Sequence, residues 1–275
     1  MRQTTSFAVL DKAALRHYAP SIFAEAGSER VSDKYAHIST IQVLDALAGE
    51  GYMPVKATQS RSRIEGRAGF AKHCVRFRHV DTVPTVGGGL FPELILTNSH
   101  DGLSSYKLQS GLFRLVCTNG MVSGELHKSV RVRHQGDIVG QVIDGTYEVM
   151  SESAGLLESA DNMGQLLLSS DEKQIFSEAV HQLYFGDEES NLKTAIQPAE
   201  FLKVRRSVDR PDNLFTVFNR AQENVIRGGL SGYYRDENRQ YKRTSTRAVN
   251  SIDKNNSLNQ ALWTLAEKMA ELKRA

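Results

Sequence analysis

Cysteine is scarce in this chain: two residues, Cys74 and Cys117, in 275. A secreted disulfide scaffold carries more, and a closed zinc site uses four closely spaced ligands. The two are therefore expected to be buried thiols in a reducing cytoplasm. Long apolar runs are missing too. No stretch approaches the roughly 18 residues that a membrane helix needs, so no membrane partner is expected. The opening segment MRQTTSFAVLDKAAL has no apolar core followed by a small-residue cleavage site, and it reads as mature protein rather than signal peptide. With only six prolines and 24% charged residues, the composition excludes collagen-like and low-complexity classes. Phosphate-loop, dinucleotide, HExxH and GxSxG signatures are all absent. The eight histidines follow no paired-ligand spacing. No metal, no cofactor and no enzyme activity are expected.

The charge is present but unevenly spread. The net charge is +2, yet Arg61–Arg78 holds six basic residues against Glu65 alone. Asp144–Glu189 holds eleven acids against Lys173 alone, and Lys193–Arg247 holds twelve bases against six acids. Such segregation produces one-signed patches that suit a charged partner, or that face one another within or between protomers.

Apolar spacing predicts an amphipathic helix over Thr40–Gly49, with Ile41, Leu44, Leu47 and Ala48 on one face and Ser39 or Thr40 as its cap. Tyr52–Thr58 reads as a short extended piece and Ser60–Lys72 as an exposed loop. The period then changes to two. His73–His79, Pro92–Asn98, Ser105–Thr118 and His127–His134 are strand candidates, with a bulge expected at Ser110-Gly111. Val75, Phe77, Val130 and Val132 would face a core, and Arg76, Arg78, Arg131 and Arg133 would line the opposite face. Farther on, Ile143, Tyr147, Met150, Ala154 and Leu157 follow helical spacing. Ser169 and Glu172 mark a capping box for a helix burying Phe176, Ala179, Val180 and Leu183. Asn213–Arg227 and Ser257–Lys273 complete the helices, the last with Leu258, Leu262, Leu265, Met269 and Leu272 as its stripe. The fold class is α+β: an antiparallel sheet of about four strands followed by a helix, in a core over residues 1–168. A helical C-terminal region, 169–275, carries a mobile basic loop at 228–256.

Guanidinium groups pair with phosphate in a fork geometry, so Arg76, Arg78, Arg131 and Arg133 are candidate DNA contacts. The 228–256 loop adds Tyr233, Tyr234, Arg239, Lys242 and Arg243. Cations interleaved with aromatic rings are what sequence-tolerant binding of unstacked bases requires. Two other constellations have structural explanations beside chemical ones. His100 and Asp101 could act as base and orienter, but Asn98–Gly102 is also rich in turn formers. Cys117 could be a nucleophile, but Asn119-Gly120 beside it is a hairpin turn signal.

The blocks LTNSHDGLSSYKLQSGLFRLVCTNGM (Leu96–Met121), FNRAQENVIRGGL (Phe218–Leu230), TSTRAV (Thr244–Val249) and LNQALWTLAEKM (Leu258–Met269), with the HCVRFRH strand, carry a resemblance. On them the chain is identified as a member of an uncharacterised family of phage/plasmid-like proteins of mobile elements. The strands-then-helix order over about His73–Leu157 is similar, at the level of fold alone, to the single-strand annealing recombinases of the RecT, Erf and Red-beta type. That second resemblance implies DNA held in a basic groove and assembly into rings or filaments. The expectation is a cytoplasmic, homo-oligomeric single-stranded DNA-binding protein, acting in annealing and recombination. The alternative is a protein-interaction module that antagonises a host defence system through the acidic Asp144–Glu189 stretch.

Overall fold

The computed structural model describes residues 9–29, 31, 35–61, 66–82, 90–114, 129–187 and 190–274, and the backbone of 121–122. Cys117 and Asn119-Gly120 lie outside these residues. Contacts divide the chain into two compact units, one formed by described residues up to Leu156 and one by those from Leu157 onward. The sequence suggests a boundary at 168/169, where the capping box opens a helix. A helix start marks a change of local structure, whereas the division falls inside the preceding helix.

The first unit begins with helices α1 (Lys12–Tyr18) and α2 (Thr40–Gly49). Strands β1 (Tyr52–Gln59), β2 (His73–His79), β3 (Leu90–Asn98), β4 (Tyr106–Arg114), β5 (Met121–Val122) and β6 (Ser129–Val132) follow, and then helix α3 (Ile138–Met150). The sheet is antiparallel in the order β1-β2-β3-β4-β5, with β6 also paired to β4. Among the described residues it has six strands rather than about four. Strand alternation decides its faces. Val75 pairs with Leu96 and Phe77 with Leu94, and these four, with Tyr106, Leu108 and Val132, are buried on one side. Each such apolar side chain contributes about 1.5–3 kcal/mol on burial. The expected bulge at Ser110-Gly111 is absent: Leu94 pairs with Ser110 and Glu93 with Gly111 in unbroken register. The register shift lies instead between Pro54 and Lys56 on β1. Proline has no N–H to give the ladder, so irregularity collects there.

Helix α3 packs on this sheet with a stripe different from the one its largest apolar residues suggest. Ile138, Val142, Thr146 and Val149 are buried, while Tyr147 is exposed. The cause is Gly145. A Cβ there would lie 2.8 Å from both Leu108 Cδ1 and Val130 Cγ1, so its absence lets the helix sit close to β4 and β6.

Helix α4 (Ser153–Gln165) carries the division. The second unit continues with α5 (Ser170–Phe185), α6 (Asn191–Ala195), α7 (Leu214–Arg227), strands β7 (Ser231–Arg235) and β8 (Tyr241–Ser245), and α8 (Ile252–Arg274). The Ser169/Glu172 capping box is fully formed at the start of α5. Phe176 and Val180 are buried as expected, but Leu183 is exposed. On α8 the buried face is Leu258, Leu262, Trp263, Ala266 and Ala270, and Leu272 is exposed. The basic segment expected as a mobile loop is a paired hairpin, β7–β8, followed by the first turn of α8. Backbone hydrogen bonds root it: Gly229 N to Thr246 O at 2.9 Å and Thr246 N to Leu230 O at 2.8 Å. Gly232 lies so near Ala195 that an added Cβ would meet its carbonyl oxygen at 1.8 Å.

Replacing Gly145 by valine should force α3 off the sheet and destabilise the first unit by about 1–3 kcal/mol. Denaturant unfolding followed by amide exchange of β4 checks this; an unchanged midpoint contradicts the close packing.

Candidate nucleic-acid interface and a buried histidine network

The four sheet arginines do not form one open face. Arg76 and Arg78 alternate outward from Val75 and Phe77 on β2, as the pattern requires, but their side chains are only 16% and 13% exposed. Between them lies Glu93 of β3, whose side chain is 0% exposed. Arg76 Nη2 reaches Glu93 Oε2 at 2.7 Å, and Arg78 Nη2 pairs with Glu93 Oε1. The guanidinium carbons sit 3.4 Å from the Phe113 ring centre and 4.0 Å from that of Phe91. Burial pulls Arg76 below its ordinary pKa, and Glu93 opposes that pull. These two arginines therefore neutralise a buried carboxylate and cap aromatic rings, a role that period-two alternation does not reveal. Arg131 and Arg133 are exposed, the latter just beyond the end of β6.

The Tyr/Arg hairpin is different. Tyr233 pairs with Arg243, Tyr234 with Lys242, and Arg235 with Tyr241. Alternation therefore puts Tyr233, Arg235, Tyr241 and Arg243 on one face, each tyrosine diagonal to the other. Tyr233 is 65% and Tyr241 69% exposed. Arg235 Nη2 donates to the Tyr241 hydroxyl at 2.9 Å with its guanidinium 4.8 Å from the ring centre. At the tip, Asp236 accepts from the Asn238 and Gln240 amides and from Lys242 at 2.8 Å. Arg239 takes φ 61° in this turn. Of the residues expected here, Tyr233 and Arg243 share the exposed face. Lys242 and Tyr234 occupy the other face, and Arg239 the turn.

The Phe218–Leu230 block explains why the hairpin stands where it does. Helix α7 buries polar side chains almost all round, and each has a partner. Asn224 Nδ2 donates to Phe201 O at 2.8 Å and Lys203 O at 2.9 Å, while Arg205 donates to Asn224 Oδ1 and to Gly228 O. Glu223 receives Arg206 at 2.9 Å and Arg227 at 2.6 Å. Burial pushes the Glu223 carboxyl up, but these two arginines outweigh it and hold it low.

In the first unit, the core side of the sheet ends in a cluster of neutral histidines around Thr40. Its hydroxyl lies 3.0 Å from both His73 Nε2 and His100 Nε2, and it accepts from Asn98 Nδ2 at 3.2 Å. His73 Nδ1 faces Ser21 Oγ at 2.8 Å and Ala71 O at 3.3 Å; His100 Nδ1 faces the Tyr35 hydroxyl at 3.1 Å. His134 Nε2 meets Asn98 Oδ1 at 2.9 Å. The partners assign the protons. A carbonyl only accepts, so His73 carries its proton on Nδ1 and Thr40 donates to its Nε2. His100 then donates from Nε2 to Thr40 and accepts from Tyr35. His134 donates from Nε2 to Asn98. Burial drives these rings below their usual pKa, His73 to about 4 and His100 to about 3, and lowers His134 as well; the Ser104 backbone pulls His134 the other way. Burial also raises Tyr35 to about 12.

This geometry separates His100 from Asp101. Both ring nitrogens of His100 are engaged elsewhere, and Asp101 Oδ1 accepts from Ser99 Oγ at 2.5 Å and Leu103 N at 3.0 Å. Asp101 holds the turn. Among the described residues no group of three or more His, Cys, Asp or Glu could hold a metal ion, and no helix is long and apolar enough to cross a membrane. Reading for motifs misses Tyr35, Thr40 and His134. The available signal was that His73 and His134 continue the apolar periods of Val75/Phe77 and Val130/Val132.

Replacing Glu93 by alanine leaves two largely buried guanidinium groups unneutralised and should cost about 3–5 kcal/mol, measurable as a lowered unfolding midpoint. A second expectation follows from the histidines. Their folded pKa values lie below the unfolded value of about 6.5, so the unfolded chain binds more protons in acid. First-unit stability should be full above about pH 6.5. It should fall progressively on acidification, with the histidine contribution levelling off only below about pH 4 for His73 and about pH 3 for His100. Amide exchange of β2–β4 between pH 7.5 and 5.5 reports it before carboxylates titrate; a flat profile rules out the neutral network.

Comparison with known proteins gives the family. Two curated proteins of Escherichia coli (strain K12), UPF0380 protein YafZ and UPF0380 protein YfjQ, are each 41% identical over 260 residues, covering 94% of this chain and 91% of theirs. No solved structure matches, and nothing in the comparisons supports the likeness to annealing recombinases. Residues 28–263 match the model described as "Domain of unknown function (DUF932)", and the chain belongs to that family.

Proposed function

We propose that this protein binds single-stranded DNA without enzymatic chemistry, through the exposed face of the β7–β8 hairpin. The observation that carries the reading is the pattern of Tyr233, Arg235, Tyr241 and Arg243 on one rigidly rooted face. Tyrosine faces stack on bases of any sequence, and arginines neutralise the intervening phosphates. Cross-strand diagonal neighbours stand about 7–8 Å apart. Bases in a duplex are stacked at about 3.4 Å along each strand. Rings at the hairpin spacing therefore suit an extended strand whose bases have come apart. Arg76 and Arg78 drop out of the contact set, because binding phosphate would cost their pairing with buried Glu93. The acidic Asp144–Glu189 stretch spans the division between the units, so its charges are shared between two compact bodies. Annealing by a homo-oligomer is the finer form of the proposal, and it requires that the protein change its assembly when a strand is added.

The test is fluorescence anisotropy with a labelled oligothymidine over a salt series. Tyr233→Ala and Tyr241→Ala should each weaken binding by about 1–3 kcal/mol. Arg243→Ala should reduce the salt slope by about one phosphate contact. Salt-insensitive binding, or affinity unchanged in the double tyrosine variant, rejects the hairpin as the interface.

A further inference from the structure

Among the described residues, the outer edge of β8 is unpaired. An antiparallel ladder places its hydrogen bonds at alternate residue pairs. Asp236 N reaches Gln240 O at 3.0 Å and Thr246 N reaches Leu230 O at 2.8 Å. Those two pairs fix the alternation: between them, Tyr234 with Lys242 and Gly232 with Thr244 are the bonded pairs. Tyr241, Arg243 and Ser245 therefore turn their amides and carbonyls away from β7. All three residues are exposed. An open strand edge is a template for another strand, and the side chains along it decide which one is admitted.

Charge and shape along this edge select a second copy of the same strand. An antiparallel partner with its axis at Arg243 would set two guanidinium groups directly opposite, which repels. An axis at Lys242 sets Tyr241 opposite the partner's Arg243, and Arg243 opposite the partner's Tyr241. These are outward residues, so each pair closes two backbone hydrogen bonds. Across the four strands of the open face the order becomes Arg235, Tyr241, the partner's Arg243 and the partner's Tyr233, with the reverse order in the next row. Each inner ring lies between two cations and no two guanidinium groups are directly opposed, as cation–π attraction favours. On the other face the two Lys242 side chains meet, each held by its own Asp236 at 2.8 Å. An acidic peptide would match the charge of the edge but not this alternation of rings and cations. We propose that β8 joins two copies of this chain edge to edge, antiparallel about Lys242, into a four-stranded sheet with one continuous Tyr/Arg face. Like charge at the edge keeps free copies apart. A polyanion across the face, or screening salt, removes that barrier. The inference rests on the hairpin reading for what lies across the face, and it makes the bound strand the trigger for assembly.

The experiment follows amide exchange in the full-length chain alone, with oligothymidine, and in about 1 M salt, where the screening length is about 3 Å. Pairing should slow the outward amides of Tyr241 and Arg243 and leave those of Tyr233 and Arg235, on the far edge of β7, unchanged. Lys242→Cys supplies a second readout. Residues at such an axis stand about 4.5 Å apart between Cα atoms, within disulfide reach, so diamide should link two copies. Oligothymidine should raise the linked fraction about 10-fold or more, because two copies on one strand meet at a raised effective concentration. Glu237→Cys, at the hairpin tip and far from the axis, should stay unlinked. The unsubstituted chain, which carries Cys74 and Cys117, is the control for other disulfides. Slowed amides together with the Lys242→Cys link establish the pairing, and in salt alone they do so even where no oligothymidine binds and the hairpin reading fails. Absence of both signs in strand and in salt overturns the pairing; tyrosine-dependent oligothymidine binding then leaves the hairpin reading standing without it. Equal linking through Glu237→Cys overturns it as random collision. Amides slowed by an oligoglutamate, with no link between copies, give the edge to an acidic segment and overturn it as well.

Discussion

The hydroxyl of Thr40 can give one hydrogen bond and accept two, and the first unit is arranged around that limit. His73, His100 and Asn98 converge on it where no water reaches. With neutral imidazoles, Thr40 donates to His73 and accepts from His100 and Asn98, which fills its capacity, and the Tyr106 hydroxyl at 3.3 Å turns its own proton to the Ile38 carbonyl. Each member comes from a different element: the first residue of α2, the first of β2, the last of β3 and the turn after it. A slipped strand or tilted helix would strand a polar group in the core at about 1–3 kcal/mol. Strand register, the seating of α2 and the Asn98–Gly102 turn are thus coupled through one oxygen.

The same requirement organises the second unit around α7. A helix carrying Asn219, Arg220, Gln222, Glu223 and Asn224 would ordinarily turn this face to solvent, yet all five are buried. They are tolerated because the chain around them supplies partners: carbonyls of Phe201, Lys203, Asp209 and Arg210, the side chains of Arg205 and Arg206, and Asn259 of α8. The end of this helix is locked as well, since Arg205 reaches the Gly228 carbonyl and Gly228 adopts φ 63° against the backbone of Arg247. A hairpin that leaves such a root is held in place, which is why its tyrosines can remain exposed without packing on the body.

The arginines show where local pattern stops being informative. Alternation along HCVRFRH correctly separates Val75 and Phe77 from Arg76 and Arg78. It says nothing about what stands on the neighbouring strand. Glu93, Phe91 and Phe113 arrive from β3 and β4 and convert two apparent phosphate ligands into a buried ion pair stacked on aromatic rings. The α3 stripe went astray for a related reason. The largest apolar side chains suggest one face, but a glycine that admits close contact with the sheet selects another. In the basic segment, composition picks out Tyr233 and Arg243 but misses that Arg235 and Tyr241 share their face through cross-strand pairing.

The sequence by itself determined the α+β class, the span of β2, the start of α2, the Ser169 capping box and the extent of α7. Each is a local matter of periodicity or of a cap reaching an amide three residues away, so a short window contains its cause. Membership of an uncharacterised family was legible too, in blocks that fall largely on β4, α7 and α8. Only the tertiary structure decided which histidines meet and which arginines are spoken for. Those outcomes rest on pairs such as Thr40 with His100, Arg76 with Glu93 and Tyr35 with His134. They lie far apart along the chain, and it is their shared burial that sets their protonation and their chemistry.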